Sequence, residues 1–249
     1  VVGGVDDEST RAAALVYDQV TDNDVIAASD ATTAESVKVF EGVYRDVNIA
    51  LANELATYTD ALGIDVREAI AVANTVDESD ILRPGPGVGG HCIPYYPYFL
   101  FGEFDVDSPL LRTAREVNDE MPAFVVGKLA SLLGERGQSL DGASILVLGG
   151  TYRAGVAETR ASPAIGLTET LATNGASVDI VDPMLDSFDE FAAEPVELPD
   201  SDGGDYDGIV LVTAHASFEE TDWAAFDEPV VVDTRAVLDP DELVHDLYT

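Results

Sequence analysis

The chain has 249 residues, is 46% hydrophobic, and carries 48 Asp plus Glu against 12 Lys plus Arg, a formal charge of −36. That length accommodates two modest domains with cores of their own. The acidic excess, spread over all regions, reads as a solvated coat adapted to high salt, and it excludes nucleic acid as a partner, because neutralising phosphates takes a basic face.

In chain order, "VVGG" at the start is a short strand candidate, and "DDESTRAAALVYDQV" follows with acidic N-cap candidates and helical spacing. The pair looks like the last strand and helix of something larger. "DVIAAS" is another strand candidate. From a Thr cap, "TAESVKVFEGVYRDVNIALANELATYTDALG" then runs to Gly63 without proline, with Val37, Phe40, Tyr44, Val47, Leu51 and Leu55 at three- and four-residue steps along one helical face. A helix of roughly 28 residues is about 42 Å long, more than a small domain's core covers, so part of it is expected to pack on a second copy of the chain. "DVREAIAVANTV" reads as a further helix, and "SPLLRTAREVNDEMPAFVVGKLASLLGERG" as helical on both sides of Pro122, which should break or kink it.

From Ala143 the character changes. "ASILVLGG", "SVDIVDP", "YDGIVLVT" and "PVVVDT" are short β-rich runs bounded by Gly, Asp or Pro; "SPAIGLTETLATNG" lies as a helix between the first two, and "DPDELVHDL" follows the last. The fold class expected is α/β: an all-helical central domain with a long helix, then a Rossmann-like, doubly wound parallel sheet. The polar "RGQSLDG" at 136–142 sets the boundary, giving units of 1–30, 31–138 and 139–249. No run approaches the roughly 20 apolar residues of a membrane span, and no charged segment with an apolar core opens the chain. One cysteine makes no internal disulfide, which suggests reducing cytoplasm. No metal site is expected.

The loop "RPGPGVGGHCIPYYPYF", from Arg83 to Phe99, holds that cysteine, Cys92. Gly85, Gly87 and Gly90 spell the dinucleotide fingerprint G-x-G-x-x-G, but no strand precedes them, and Pro94 and Pro97 forbid a regular helix after them. Such a loop instead lets backbone approach a ligand closely. A lone cysteine is more often a small buried hydrophobe than a nucleophile. Next to His91 and behind glycine N–H groups that can face an anion, a thiolate can also attack an aldehyde carbon.

"PGPGVGGHCIP" together with "AESVKVFEGVYRDVNIALANEL" resembles the UDP-glucose/GDP-mannose dehydrogenase family, and "GGHC" and "YRDVNIALANE" resemble its UDP-N-acetylmannosamine dehydrogenase branch. The similarity continues through "AREVNDEMP", "LGGTYRAGVAETRASPA", "VDPML", "YDGIVLVTAH" and "VVDTRAVLD". It implies a cytoplasmic enzyme of polysaccharide biosynthesis that oxidises the C6 alcohol of a UDP-sugar to a carboxylate with two NAD⁺ in succession. Cys92 would capture the intermediate aldehyde, and Lys38 would stabilise oxyanions. Gly85, Gly87, Gly89 and Gly90, with His91, would wrap the sugar and its diphosphate. Arg45, Arg153 and Arg160 would contact the substrate, and helix-terminal amides at Ser162 would add anion donors. For Lys38 and the arginines, ion pairs with the acidic surface are the plainer alternative.

Two positions depart from the resemblance. Gly42 stands four residues after the lysine, where the family carries an asparagine, and Tyr96 stands four after the cysteine, where it carries an aspartate; a phenol is a poor base near neutral pH. The resemblance also implies an NAD-binding domain of which residues 1–30 are the end, supplied by a longer parent protein or a separate chain, and a homodimer. The alternatives are a non-catalytic nucleotide-sugar-binding and dimerisation module, or a decayed enzyme fragment.

Overall fold

The computed structural model describes residues 1–198, 203–219, 221–238 and 247–248. At the N-terminus the two expected strands reduce to one isolated parallel bridge between Val2 and Ala27. Its hydrogen bonds run from Val2 N to Ile26 O and from Ala28 N to Val2 O, and no third strand extends it among the described residues. Helix α1 (Asp7–Asp18) opens on a capping box in which the Asp6 carboxylate accepts from Ser9 N and Ser9 Oγ accepts from Asp6 N.

Helix α2 (Ala31–Ala56) is capped by Asp30, whose carboxylate accepts from Thr33 N, and not by the threonine expected from sequence. Nor does it reach Gly63: the chain turns at Thr57 and resumes as α3 (Thr59–Leu62), which Gly63 ends. Its stripe of Val37, Phe40, Tyr44 and Leu51 is exposed. The buried face carries small and polar residues, Gly42, Asp46, Ala50, Ala52 and Asn53. Helix α4 (Val66–Ala73) follows, capped by Asp65.

A short helix, α5 (Tyr96–Phe101), forms where Pro94 and Pro97 argued against one, because Pro97 falls in its first turn, where no intrahelical N–H is needed. Helix α6 (Pro109–Glu135) runs unbroken through Pro122, against expectation. An interior proline costs about 3 kcal/mol; here Met121, Pro122, Val125, Val126, Leu129 and Leu133 are all buried, and one such side chain contributes roughly 1.5–3 kcal/mol, so packing outweighs the lost hydrogen bond.

The C-terminal half is a parallel sheet of β1 (Ser144–Leu148), β2 (Ser177–Val181), β3 (Glu194–Pro195), β4 (Gly208–Leu211), β5 (Val230–Asp233) and β6 (Leu247–Tyr248), in the order β3-β2-β1-β4-β5-β6. Helix α7 (Pro163–Thr173) makes the crossover from β1 to β2. Alternate side chains of the central strands feed two cores. Ile145, Val147, Ile180, Val210 and Val232 meet α6 and α7 on one face, while Leu146, Leu148, Ile209, Leu211 and Val231 meet Phe218, Trp223 and Phe226 on the other. Burial on both faces is why these strands read as continuous apolar runs. The two-residue strands β3 and β6 are too short to carry such a pattern, and most of "DPDELVHDL", 239–246, lies outside the described residues. Among those described, no helix is long and apolar enough to cross a membrane.

Candidate active site

The glycine loop cannot satisfy its own backbone groups, so asparagines do it. Asn74 Oδ1 accepts from Ile81 N and Asn48 Oδ1 from Leu82 N, both at 2.9 Å, and Asn53 Oδ1 accepts from Gly85 N at 2.8 Å. Asn53 is itself fixed by donating to Asn118 Oδ1, and Asn118 donates to the buried Asp46 carboxylate, the ion-pair partner of Arg115. Burial pushes the Asp46 carboxyl up from its ordinary value, while Arg115 pulls the other way. Further along, Gly90 N donates to Arg160 O at 2.8 Å with φ at +99° and the Tyr152 ring against its Cα, a conformation that calls for glycine. The loop is thereby tied to α2 and the end of α4 on one side, with α6 behind Asn53, and to the segment after β1 on the other.

Beyond Gly90, His91 Nε2 lies 3.1 Å from a Glu158 oxygen, and this hydrogen bond holds the Glu158 carboxyl below its usual range, with Arg160 acting in the same direction. Cys92 is exposed, and its carbonyl accepts from Tyr95 N and Tyr96 N as α5 begins. Lys38 Nζ stands 5.9 Å from the centre of the Tyr96 ring, within cation–π reach. The lysine also donates to Glu41 at 2.8 Å, which raises the ammonium's pKa and lowers the carboxyl's. The neighbouring Cys92 raises the Tyr96 phenol above its ordinary value. Lys38, Cys92 and Tyr96 thus form one cluster, open to the surface.

Glu41 also pairs with Arg45 at 3.6 Å, and Arg45 lines a cavity of about 820 Å³ together with Arg67, Arg83 and Arg235. Four guanidiniums thus face one cavity, with the Glu68 carboxylate also in its lining. Arg235 donates from Nε to Val212 O at 2.6 Å and lies against Gly85; burial, then Arg67, lower it to about 10, which leaves a cation at neutral pH. Arg67 Nη2 donates to Thr234 O. Sequence reasoning named Arg45 but missed Arg67, Arg83 and Arg235; the scarcity of basic residues was the available signal. On the loop's other side, Gly87 meets Ser162, Pro163 and Asn118 around a cleft of about 450 Å³. Gly89 packs on Tyr152 and Ala161. Arg153 is exposed on the loop after β1 and lines neither cavity.

Neither glycine-bearing turn fits a dinucleotide. The Gly85–Gly90 loop has no strand before it and no helix at its third glycine. After β1, Gly150 N and Thr151 N, the donors a diphosphate would need, both donate at 2.8 Å to the buried Asp182 carboxylate, which His215 also contacts. No group of metal-ligating side chains occurs among the described residues.

Comparison with known proteins matches residues 32–120 to the central domain of the UDP-glucose/GDP-mannose dehydrogenase family and residues 146–240 to its UDP-binding domain. A UDP-N-acetyl-D-mannosamine dehydrogenase of Methanococcus maripaludis is 36% identical over 246 residues, 96% of this chain and 56% of the relative. Among solved structures, the UDP-D-ManNAc dehydrogenase of Pyrococcus horikoshii superposes with a TM-score of 0.82 at 32% identity, over 98% of this chain and 58% of that one. The NDP-N-acetyl-D-galactosaminuronic acid dehydrogenase of Methanosarcina mazei gives 0.84 at 30%, over 98% and 55%. The chain spans a little over half the length of these relatives.

Proposed function

The chain belongs to the UDP-glucose/GDP-mannose dehydrogenase family, whose relatives are named dehydrogenases, and from that premise we propose that it supplies the covalent and substrate-binding half of a nucleotide-sugar 6-dehydrogenase of the UDP-N-acetylmannosamine type. The observation that carries this reading is the run Lys38, Glu41, Arg45 along α2, which leads from Cys92 to the four-arginine cavity. Seven helical residues span about 10 Å, a distance suited to a sugar carbon at one end and its diphosphate at the other.

The Cys92 thiolate adds to the C6 aldehyde carbon. A C–S bond forms, the carbonyl π pair moves to oxygen, and the Lys38 ammonium stabilises that oxyanion. After oxidation to the thioester, water displaces the thiol, and the acid leaves. The glycine loop and His91 hold the sugar, and Arg45 joins the anion contacts, whereas Arg153 and Arg160 line neither the arginine cavity nor the Gly87 cleft. The oxidations before and after capture need a hydride acceptor, for which the family implies NAD⁺. The residues here do not fit it, so its seat belongs to a separate unit or to further sequence of the same protein. The exposed Val37, Phe40, Tyr44 and Leu51 stripe is the surface for a second copy of the chain.

The test is the UDP-sugar 6-aldehyde, mixed with the protein in high salt and examined by native mass spectrometry. A single adduct at Cys92 is expected, and none on Cys92→Ser. Absence of any adduct on folded protein that still binds UDP by calorimetry would favour a binding module instead.

A further inference from the structure

Strand β5 ends on Asp233, whose carboxylate is fully buried. A carboxylate taken out of water is costly unless donors surround it, and the turn after the strand supplies them. Oδ1 accepts from Arg235 N at 2.8 Å, and Oδ2 accepts from Val237 N at 2.7 Å and Leu238 N at 2.8 Å. Between these donors Ala236 is held at φ +52°, a left-handed conformation that is strained for alanine and persists only where its surroundings fix it. The chain therefore wraps the carboxylate. Arg235 leaves the wrapped turn back across the end of β4, where its Nε donates to Val212 O at 2.6 Å and a β-carbon at Gly85 would lie 2.9 Å from its Nη1.

We propose that Asp233 is a positioning residue for the arginine cavity: the buried carboxylate ties the 235–238 turn, and the tied turn fixes Arg235 across the end of β4 and against Gly85, where its guanidinium meets the substrate's diphosphate. Asp233 touches no substrate and acts through Arg235. The proposal rests on the reading that the diphosphate lies in this cavity, but one of its two readouts needs no ligand.

The first readout is hydrogen exchange of the Arg235 Nε–H in the ligand-free chain in high salt, followed by heteronuclear NMR and assigned by its loss in Arg235→Lys. Asp233→Asn keeps the side chain's size but removes the charge and one acceptor oxygen. The Nε–H should then exchange about tenfold faster than in the parent. The second readout is UDP affinity by calorimetry. Asp233→Asn should weaken it about fivefold and lower Tm by about 5 °C. Added to Arg235→Ala, it should lower Tm alike but change UDP affinity by less than about twofold. Val231→Ala, which thins the core on the same strand, is the destabilised control and should leave both the Nε–H and UDP affinity as in the parent.

A merely structural role gives a different pattern, in which affinity follows Tm in every variant and the losses add to that of Arg235→Ala. That pattern overturns the proposal, and so does a folded Asp233→Asn with unchanged exchange and unchanged UDP affinity. If Asp233→Asn does not fold, Asp233→Ser, whose hydroxyl still accepts from one of these N–H groups, takes its place. A parent that binds no UDP, with the Nε–H released by Asp233→Asn, would sink the diphosphate reading and leave the positioning role standing. UDP binding lost in Arg235→Ala, with the Nε–H unmoved by Asp233→Asn, would do the reverse.

Discussion

At the residue scale, the site divides into what a motif can reveal and what only contact can. Cys92 and Lys38 stood out from their neighbours in sequence. Arg67, Arg83 and Arg235 did not, because they come from separate segments that meet only after folding. For the same reason Gly42 and Tyr96 read as two unrelated anomalies until the ring was seen to fill the glycine's space. Arg235→Ala should weaken UDP binding at least tenfold by calorimetry, with Arg235→Lys recovering only part, since an ammonium cannot replace a planar fork that also donates to Val212 O. Tyr96 offers a titration. Its phenol is raised above the ordinary value, chiefly by the neighbouring Cys92, so the stabilisation this neighbour gives is complete below the ordinary tyrosine value and is lost as pH climbs through the raised one. Cys92→Ala should bring its midpoint down, as followed by NMR of ring-labelled tyrosine.

At the element scale, periodicity found the longer helices and the central strands, but it gave no sign of α5 and misjudged which face of α2 is buried. The apolar stripe of α2 faces outward, while its inner face carries Asp46 and Asn53 in a buried polar chain running from Arg115 to Gly85 N. Sequence alone signals against polar residues on a buried face, and here each one is matched by a partner on α6 or the loop. Asn53→Ala orphans the Gly85 N–H and an Asn118 oxygen, and should cost about 1–3 kcal/mol in denaturant unfolding, together with UDP affinity. Arg115→Met leaves Asp46 buried without its counter-ion and should cost more, about 3–5 kcal/mol. Pro122 was misread because the rule for prolines weighs a hydrogen bond and not the core packed around it.

At the scale of the whole molecule, the order β3-β2-β1-β4-β5-β6 is what alternating strand and helix patterns lead one to expect of a doubly wound sheet. Its outermost strands lay below the resolution of any pattern. A net charge of −36 sets a further property. Mutual repulsion among carboxylates is screened as the Debye length shrinks, so Tm should rise steeply from about 0.1 M to about 1 M KCl; a flat response would mean the acidic coat has no bearing on stability. Finally, α6 is a single rod of 27 residues, about 40 Å long, whose flanks serve two cores, α2 on one side and the sheet with α7 on the other. Neither half can melt without stripping a face of that rod. Thermal unfolding should therefore be one cooperative transition, with calorimetric and van't Hoff enthalpies in agreement.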